Sequence, residues 1–214
     1  MTRSQSDTAR VRGHFRKTAF SFDALYDERG LLQRYARPAL FRRLDLAVDV
    51  VRSYQSPRVL DVGCGSGRTG EPLLEAGARE YVGIDFSEPM LELAEKRLHR
   101  FGDRARLVLG DFLDTPLDGA FEVVLGLGLF DYLPEPEPFA VRMREVCTGS
   151  LVASFPRWTR VKGPVRKVRY EVINNCPIFD YSPASVRELF EGAGFRTVHL
   201  TEVGRSALLA RAEV

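Results

Sequence analysis

The sequence predicts an α/β fold built on a mostly parallel sheet covered by helices. Three observations point there. From Arg58 onward short β-rich runs alternate with helical ones, the strands read as apolar on both faces, and a glycine-rich turn joins the first strand to the helix that follows. Strands buried on both faces belong to parallel sheets, whose right-handed crossover helices cover them.

The elements follow in order. Arg58–Val62 (RVLDV) reads as a buried strand, and beyond the Gly-rich turn a helix runs to about Ala76 with Gly77 as its stop. Tyr81–Phe86 is the second strand. Ser87 then offers an N-cap side chain, Pro89 lies in the first turn, and Met90, Leu91, Leu93, Ala94 and Leu98 form the apolar stripe of a helix. Ala105–Leu109, Phe121–Gly126 and Gly149–Phe155 are the next three strands, with a helix near Phe139–Val146 before the last of them. Ser185–Gly192 is a further helix, and Phe195–Thr201 and Ser206–Ala210 are two final strands flanking Gly204-Arg205, a hairpin turn. Two stretches depart from the repeat. Residues 8–54 carry no strand signal but are amphipathic around Leu31–Val51, which predicts a helical N-terminal extension packed on or over the sheet. From Arg157 to Tyr181 the chain is basic, then aromatic, and Val168, Tyr170 and Val172 alternate with Arg169 and Glu171 as an extra strand would.

Composition narrows the function. The 214 residues suffice for one well-buried domain, and 44% hydrophobic with 28% charged residues exclude fibrous and disordered classes. A net charge of +2 is too balanced for a dedicated nucleic-acid binder, so no nucleic-acid partner is expected. The charge is uneven: 12 basic and 6 acidic residues in 1–58, 9 and 17 in 59–150, and 10 and 6 in 151–214 give an acidic middle between basic flanks. Cys64, Cys147 and Cys176 fit neither a disulfide framework nor a zinc pattern, which suggests a reducing compartment. No apolar run is long enough for a membrane span, and Arg3, Arg10, Arg12, Arg16 and Lys17 interrupt any signal sequence, so a soluble, cytoplasmic protein is expected. His14, His99 and His199 show no metal spacing.

The chemistry gathers in Val59-Leu-Asp-Val-Gly-Cys-Gly-Ser-Gly67, whose glycines at 63, 65 and 67 fall between a strand and a helix. Glycines there let a ligand lie against bare amides at the carboxyl edge of the sheet. The spacing is GxGxG rather than GxGxxG. Asp85 closes the second strand 18 residues after Gly67, where a carboxylate accepts from both hydroxyls of a ribose. Gly110-Asp111-Phe112 closes the third, where an acid takes an adenine amino proton and a ring stacks on the base. Asp61 holds the turn or faces a ligand, Cys64 reads as a small packed residue rather than a nucleophile, and Met90 is either core or a wall for the base.

In these residues the chain resembles the class I S-adenosylmethionine-dependent methyltransferases of the small-molecule type over about residues 57–155. VLDVGCGSG resembles the first motif, IDFS the ribose-binding strand end, GDF the adenine-binding turn, and FEVVLGLGLFDYLPEP the fourth strand with its loop. The resemblance implies a Rossmann-like seven-stranded sheet with an antiparallel last strand and a helical N-terminal lid. It divides one domain, 1–214, into a lid (1–56), a cofactor-binding core (57–155), a basic substrate-side insertion (156–182) and a terminal helix with its strand pair (183–214). S-adenosyl-L-methionine is the implied cofactor. It would be held by Asp61, Gly63, Cys64, Gly65, Gly67, Asp85, Phe86, Met90, Asp111 and Phe112, with Gly126 and Leu127 beside the reacting methyl and Tyr26 of the lid covering it.

The expected activity is methyl transfer to an oxygen, nitrogen or carbon nucleophile of a small, anionic molecule. Asp131 and Tyr132, just past the fourth strand, align with positions that face the acceptor and are the catalytic candidates. Arg157, Arg166, Arg169 and Tyr170 are the substrate-binding candidates, because six cations in the thirteen residues 157–169 with no acid among them suit a carboxylate or phosphate. Two other classes remain: a non-catalytic cofactor-binding regulatory module, and a nicotinamide-dependent oxidoreductase, which suits the βαβ pattern but not the glycine spacing.

Overall fold

The structure, a computed structural model, describes residues 38–156, 176–203 and 207–214 and, ahead of them, residues 7, 10, 11 and 13. The elements are α1 (Pro38–Arg52), β1 (Arg58–Val62), α2 (Gly70–Glu75), β2 (Glu80–Asp85), α3 (Glu88–Leu98), β3 (Ala105–Leu109), β4 (Phe121–Leu127), α4 (Glu137–Val146), β5 (Cys147–Pro156), α5 (Pro183–Gly192), β6 (Thr197–Val203) and β7 (Ala207–Glu213). Short 3₁₀ turns cover His99–Arg104, where a kink at Gly102 separates two of them, and Phe130–Tyr132.

The strands form one sheet in the order β3-β2-β1-β4-β5-β7-β6. β1 to β5 pair in parallel, whereas β7 runs antiparallel to both β5 and β6. The expected seven strands with an antiparallel last one are therefore present. Alternate residues of β1 enter different cores: Leu60 and Val62 join Val124, Phe130, Phe155 and Phe190, while Val59 joins Val50, Leu73, Tyr81 and Val123. The first core contains α4 and α5 residues, the second α1 and α2 residues, which is the two-sided coverage a parallel sheet requires. The helices turn one stripe inward at the helical period: Ala47, Val50 and Val51 in α1, Met90, Ala94 and Leu98 in α3, Val186 and Phe190 in α5.

Several expectations are corrected. β3 is an edge strand and is not buried on both faces; its residues are half-buried and Leu109 is 55% exposed. The last helix begins at Pro183, not Ser185, because Ser182 and Ser185 form a reciprocal capping box and proline suits the first turn. β6 begins at Thr197 because Phe195 is drawn into the core and its amide bonds the Phe190 carbonyl. Ser87 precedes α3, but its side chain makes no capping bond; the Asp85 carboxylate accepts the Ser87 amide instead. The extra strand expected at Val168–Val172, the Gly204-Arg205 turn and the chain before Pro38 in the Leu31–Val51 pattern lie outside the described residues.

Candidate functional site

β1 and β4 are neighbours, yet the chain leaves β1 toward β2 and β3 on one side and resumes at β4 on the other. The loops at their carboxyl ends diverge there, which opens a crevice where folds of this kind bind ligands. The loop 63–69 lines it. The Gly63 and Cys64 amides donate to the Ile84 carbonyl at 2.8 and 3.2 Å, and the Gly67 amide donates to the Cys64 carbonyl at 3.0 Å. Gly67 has φ +69°, and a Cβ there would sit 3.0 Å from Ala94 Cβ, so the loop lies hard against α3. Arg97 of α3 donates to the Ser66 carbonyl and ties the same contact.

Asp85 ends β2 beneath this loop. Its Oδ2 accepts the Gly65 amide and its Oδ1 the Ser87 amide, both at 2.9 Å, so one carboxylate links the glycine loop to the start of α3. Burial raises its carboxyl above the ordinary value, and the amide bonds oppose that rise. The Gly110 amide donates to the Asp85 carbonyl at 3.0 Å, which brings Asp111 and Phe112 to the same edge. Asp111 organises its own loop, its Oδ1 accepting the Leu113 amide at 3.0 Å. The Phe112 ring is 4% exposed, 6.0 Å from Phe139 and 5.4 Å from the Arg142 guanidinium. Met90 is buried, its Sδ 4.0 Å from where a Cβ on Gly65 would lie, and Phe86 is half-buried.

Asp61, one residue before the end of β1, is the most buried carboxylate among the described residues, at 2% exposure. Its Oδ2 accepts the Tyr81 hydroxyl at 2.7 Å and the Thr69 hydroxyl. Burial pushes its carboxyl up to about 6. The two hydroxyls and the charge of Arg43 hold it down, and Asp85 pushes it up. Arg43 comes from α1 and reaches the far wall: a Cβ on Gly128 would lie 2.8 Å from Arg43 Nη1, and Gly128 has φ +77°. The close approach of a guanidinium to bare backbone at the end of β4 needs a glycine there. The Gly128 amide donates to Ser154 Oγ on β5 at 2.8 Å. Cys64 fills the space above Gly83, and burial together with the charges of Asp85 and Asp61 raises its thiol well above the ordinary value, so its role is packing.

Gly126 and Leu127 are the last two residues of β4, both buried, and a Cβ on Gly126 would sit 3.0 Å from the Phe130 ring. Asp131 and Tyr132 follow in the 3₁₀ segment, both half-buried. The Asp131 carbonyl accepts the Phe179 amide at 2.9 Å, so the segment after β5 crosses this side of the crevice. Tyr181 on that segment has its hydroxyl raised by burial first and then by the charges of Asp131 and Glu137. Tyr26, Arg157, Arg166, Arg169 and Tyr170 lie outside the described residues. Arg43, Thr69, Tyr81 and Ser154 belong to the site although no motif marks them. For Tyr81 the signal was present, since an inward aromatic hydroxyl on a buried strand requires a polar partner.

Among the described residues no group of three or more His, Cys, Asp or Glu is placed to hold a metal ion. None of their helices is long and apolar enough to cross a membrane.

Residues 59–148 match the family model described as a methyltransferase domain. The chain is similar to the ubiquinone biosynthesis O-methyltransferase of Bordetella avium, 35% identical over 98 residues that cover 44% of this chain and 39% of the relative. It thus spans about two fifths of that curated relative's length. Its fold is similar to that of magnesium protoporphyrin IX methyltransferase from Synechocystis PCC 6803, solved with bound S-adenosylhomocysteine (TM-score 0.76, 22% identity, 97% of this chain and 99% of the other). It is also similar to the 1,6-didemethyltoxoflavin-N1-methyltransferase of Burkholderia thailandensis (TM-score 0.73, 17% identity, 100% and 91%). The methyltransferase-domain match thus falls on β1 to the start of β5, and the fold around it is the one shared by these solved methyltransferases.

Proposed function

We propose that this protein transfers the methyl group of S-adenosylmethionine to an oxygen, nitrogen or carbon nucleophile of a small molecule that carries a negative charge. The observation that carries the reading is the pair of buried carboxylates, Asp61 and Asp85, on neighbouring strand ends on either side of a glycine loop. The donor set suits this cofactor. Asp85 keeps acceptor capacity for a ribose diol beyond its amide bonds, Asp61 offers an anion to an α-ammonium, and Arg43 offers a cation to the carboxylate of the same amino-acid end. Asp111, Phe112 and Met90 border the place of the base. When bound, S-adenosylmethionine supplies a sulfonium whose methyl group is already activated.

What the protein must add is alignment and the exclusion of water, and orientation supplies much of such a rate. Gly126 to Gly128 let the backbone pass close to the methyl, and Asp131 and Tyr132 stand where the acceptor would enter. A base there would add about 10²–10⁴-fold if the acceptor must lose a proton. The small-molecule part of the reading draws support from relatives whose names specify ubiquinone biosynthesis, magnesium protoporphyrin IX and 1,6-didemethyltoxoflavin. The anionic part rests on the basic run 157–169.

Two measurements test this. Calorimetry should give S-adenosylhomocysteine a clear preference over NAD, and equal affinities would defeat the cofactor assignment. Methyl-labelled cofactor incubated with a fractionated metabolite extract should label a small anionic species. Tight cofactor binding with no label transfer to any fraction would favour a regulatory module instead.

A further inference from the structure

Asp61 is itself held by two residues, Tyr81 and Thr69. Tyr81 pairs with Val59 across β1 and β2, on the face that Asp61 also occupies two residues further along β1. Its ring is fully buried, and its hydroxyl donates to Asp61 Oδ2 at 2.7 Å. Thr69, at the start of α2, brings a second hydroxyl to the same oxygen, 3.4 Å from the tyrosine's. Both donors are thus spent on Oδ2, and among the described residues Oδ1 receives no hydrogen bond.

We propose that Tyr81 and Thr69 are positioning residues: by clamping Oδ2 they keep the buried Asp61 charged and aim Oδ1 at the α-ammonium of the cofactor, and so set the acidity at which the protein lets its cofactor go. The inference rests on the function proposed above. A carboxylate with no water around it is neutralised unless donors or cations hold its charge. Every group that faces Asp61 enters the balance. Thr69 before α2, Tyr81 on β2 and Arg43 on α1 favour the anion, and Asp85 on β2 opposes it. The Cys64 thiol and the Tyr81 phenol are both raised far enough to stay neutral. The outcome is a carboxyl that titrates at about 6. Above that pH it attracts an ammonium; below it, a neutral acid does not.

The geometry makes the contribution separable. Tyr81→Phe removes one donor and leaves the buried ring in place. Thr69→Val removes the other, and Thr69→Ser keeps it. The experiment is calorimetric titration of S-adenosylhomocysteine, and of its analogue lacking the α-amino group, between pH 5 and 8.5. Wild-type affinity for S-adenosylhomocysteine should be level above pH 7 and fall toward tenfold per pH unit below 6. Tyr81→Phe and Thr69→Val should each move that midpoint up by about one unit, since each removes a hydrogen bond to the anion. Thr69→Ser should titrate as wild type, and the analogue should show no step. A purely structural tyrosine would weaken binding equally at every pH. Tyr81→Phe titrating at the wild-type midpoint, or the same step with the analogue, overturns the proposal. A wild-type protein that binds no S-adenosylhomocysteine at pH 8 overturns the function it rests on, and this inference with it.

Discussion

The buried carboxylates Asp61 and Asp85 lie on the β1–β2–β3 side of the crevice, whereas the β4–β5–β7 side is packed by a cluster of rings. Asp61 and Asp85 are held by hydroxyls and backbone amides within the loops they organise. Across the sheet Phe130 lies 4.5 Å from Phe155 and 5.9 Å from Phe190, Phe155 lies 5.0 Å from Tyr181, and Phe190 lies 5.7 Å from Phe195. The difference separates two tasks. On the function proposed above, the polar side spends stability on charges kept ready for a ligand, while the aromatic side supplies packing that fixes the sheet.

The sharpest way to break this division is to exchange the costs. Phe130 is fully buried at the centre of the ring cluster, so Phe130→Ala should lower unfolding free energy by about 3–5 kcal/mol. Urea unfolding reads that loss, and the folded variant should still bind S-adenosylhomocysteine within a few-fold of wild type. Abolished binding in a folded Phe130→Ala protein would mean the two sides are one unit. Asp85→Ala is the converse. It removes the acceptor of the Gly65 and Ser87 amides; on the proposed function it also removes that of the ribose hydroxyls, so affinity should fall by about 2–4 kcal/mol. Calorimetry checks it, and a loss below tenfold would show that the loop holds its ligand without this carboxylate.

The same division explains what the sequence made legible. The polar side is compact along the chain: Val59–Gly67, Asp85 and Gly110–Phe112 each join a strand end to its own turn, so spacing alone announces them. The aromatic side assembles Phe130, Phe155, Tyr181, Phe190 and Phe195, which only the fold brings together. β3 looked doubly buried because alternation cannot distinguish an edge strand from a central one. Arg43 reaches Gly128 from α1 over 85 positions, and no local pattern marks such a contact. Tyr81 signalled that its buried hydroxyl needs a polar partner, but not which one, since Asp61 sits on another strand.

Asp61 measures how much stability the polar side gives up. Its carboxyl titrates at about 6 in the fold against an ordinary 3.8, so the folded state holds the proton more tightly than the unfolded one. Its contribution is therefore favourable below pH 4 and is lost as pH rises through 6. At pH 7 the charged form costs the unliganded fold up to about 3 kcal/mol. Asp61→Asn keeps the shape and an oxygen for Tyr81 and Thr69, and should stabilise the unliganded protein by about 1–3 kcal/mol at pH 7 with little change at pH 4. Thermal melts at the two pH values decide it, and equal melting temperatures at pH 7 would mean that the burial of this charge is fully compensated.

The smallest expected effect falls on the boundary between the two sides. Asp131 and Tyr132 lie half-buried in the 3₁₀ turn after β4, and their backbone is already fixed, because the Tyr132 amide bonds the Leu129 carbonyl and the Asp131 carbonyl accepts the Phe179 amide. Asp131 is an anion close enough to Tyr181 to raise its hydroxyl, so its charge is felt at the entrance. In a partly desolvated site such a carboxylate can take or orient an acceptor proton, and a neutral tyrosine beside it can donate a hydrogen bond but is a poor base at pH 7. Asp131→Asn and Tyr132→Phe preserve volume. Turnover should fall at least about tenfold in one of them, about 1.4 kcal/mol of transition-state stabilisation, while affinity for S-adenosylhomocysteine stays put. A fall in Asp131→Asn that grows as pH is lowered toward the acceptor's own titration would assign proton removal. Wild-type turnover in both variants would leave alignment against the methyl as the whole of what this entrance contributes.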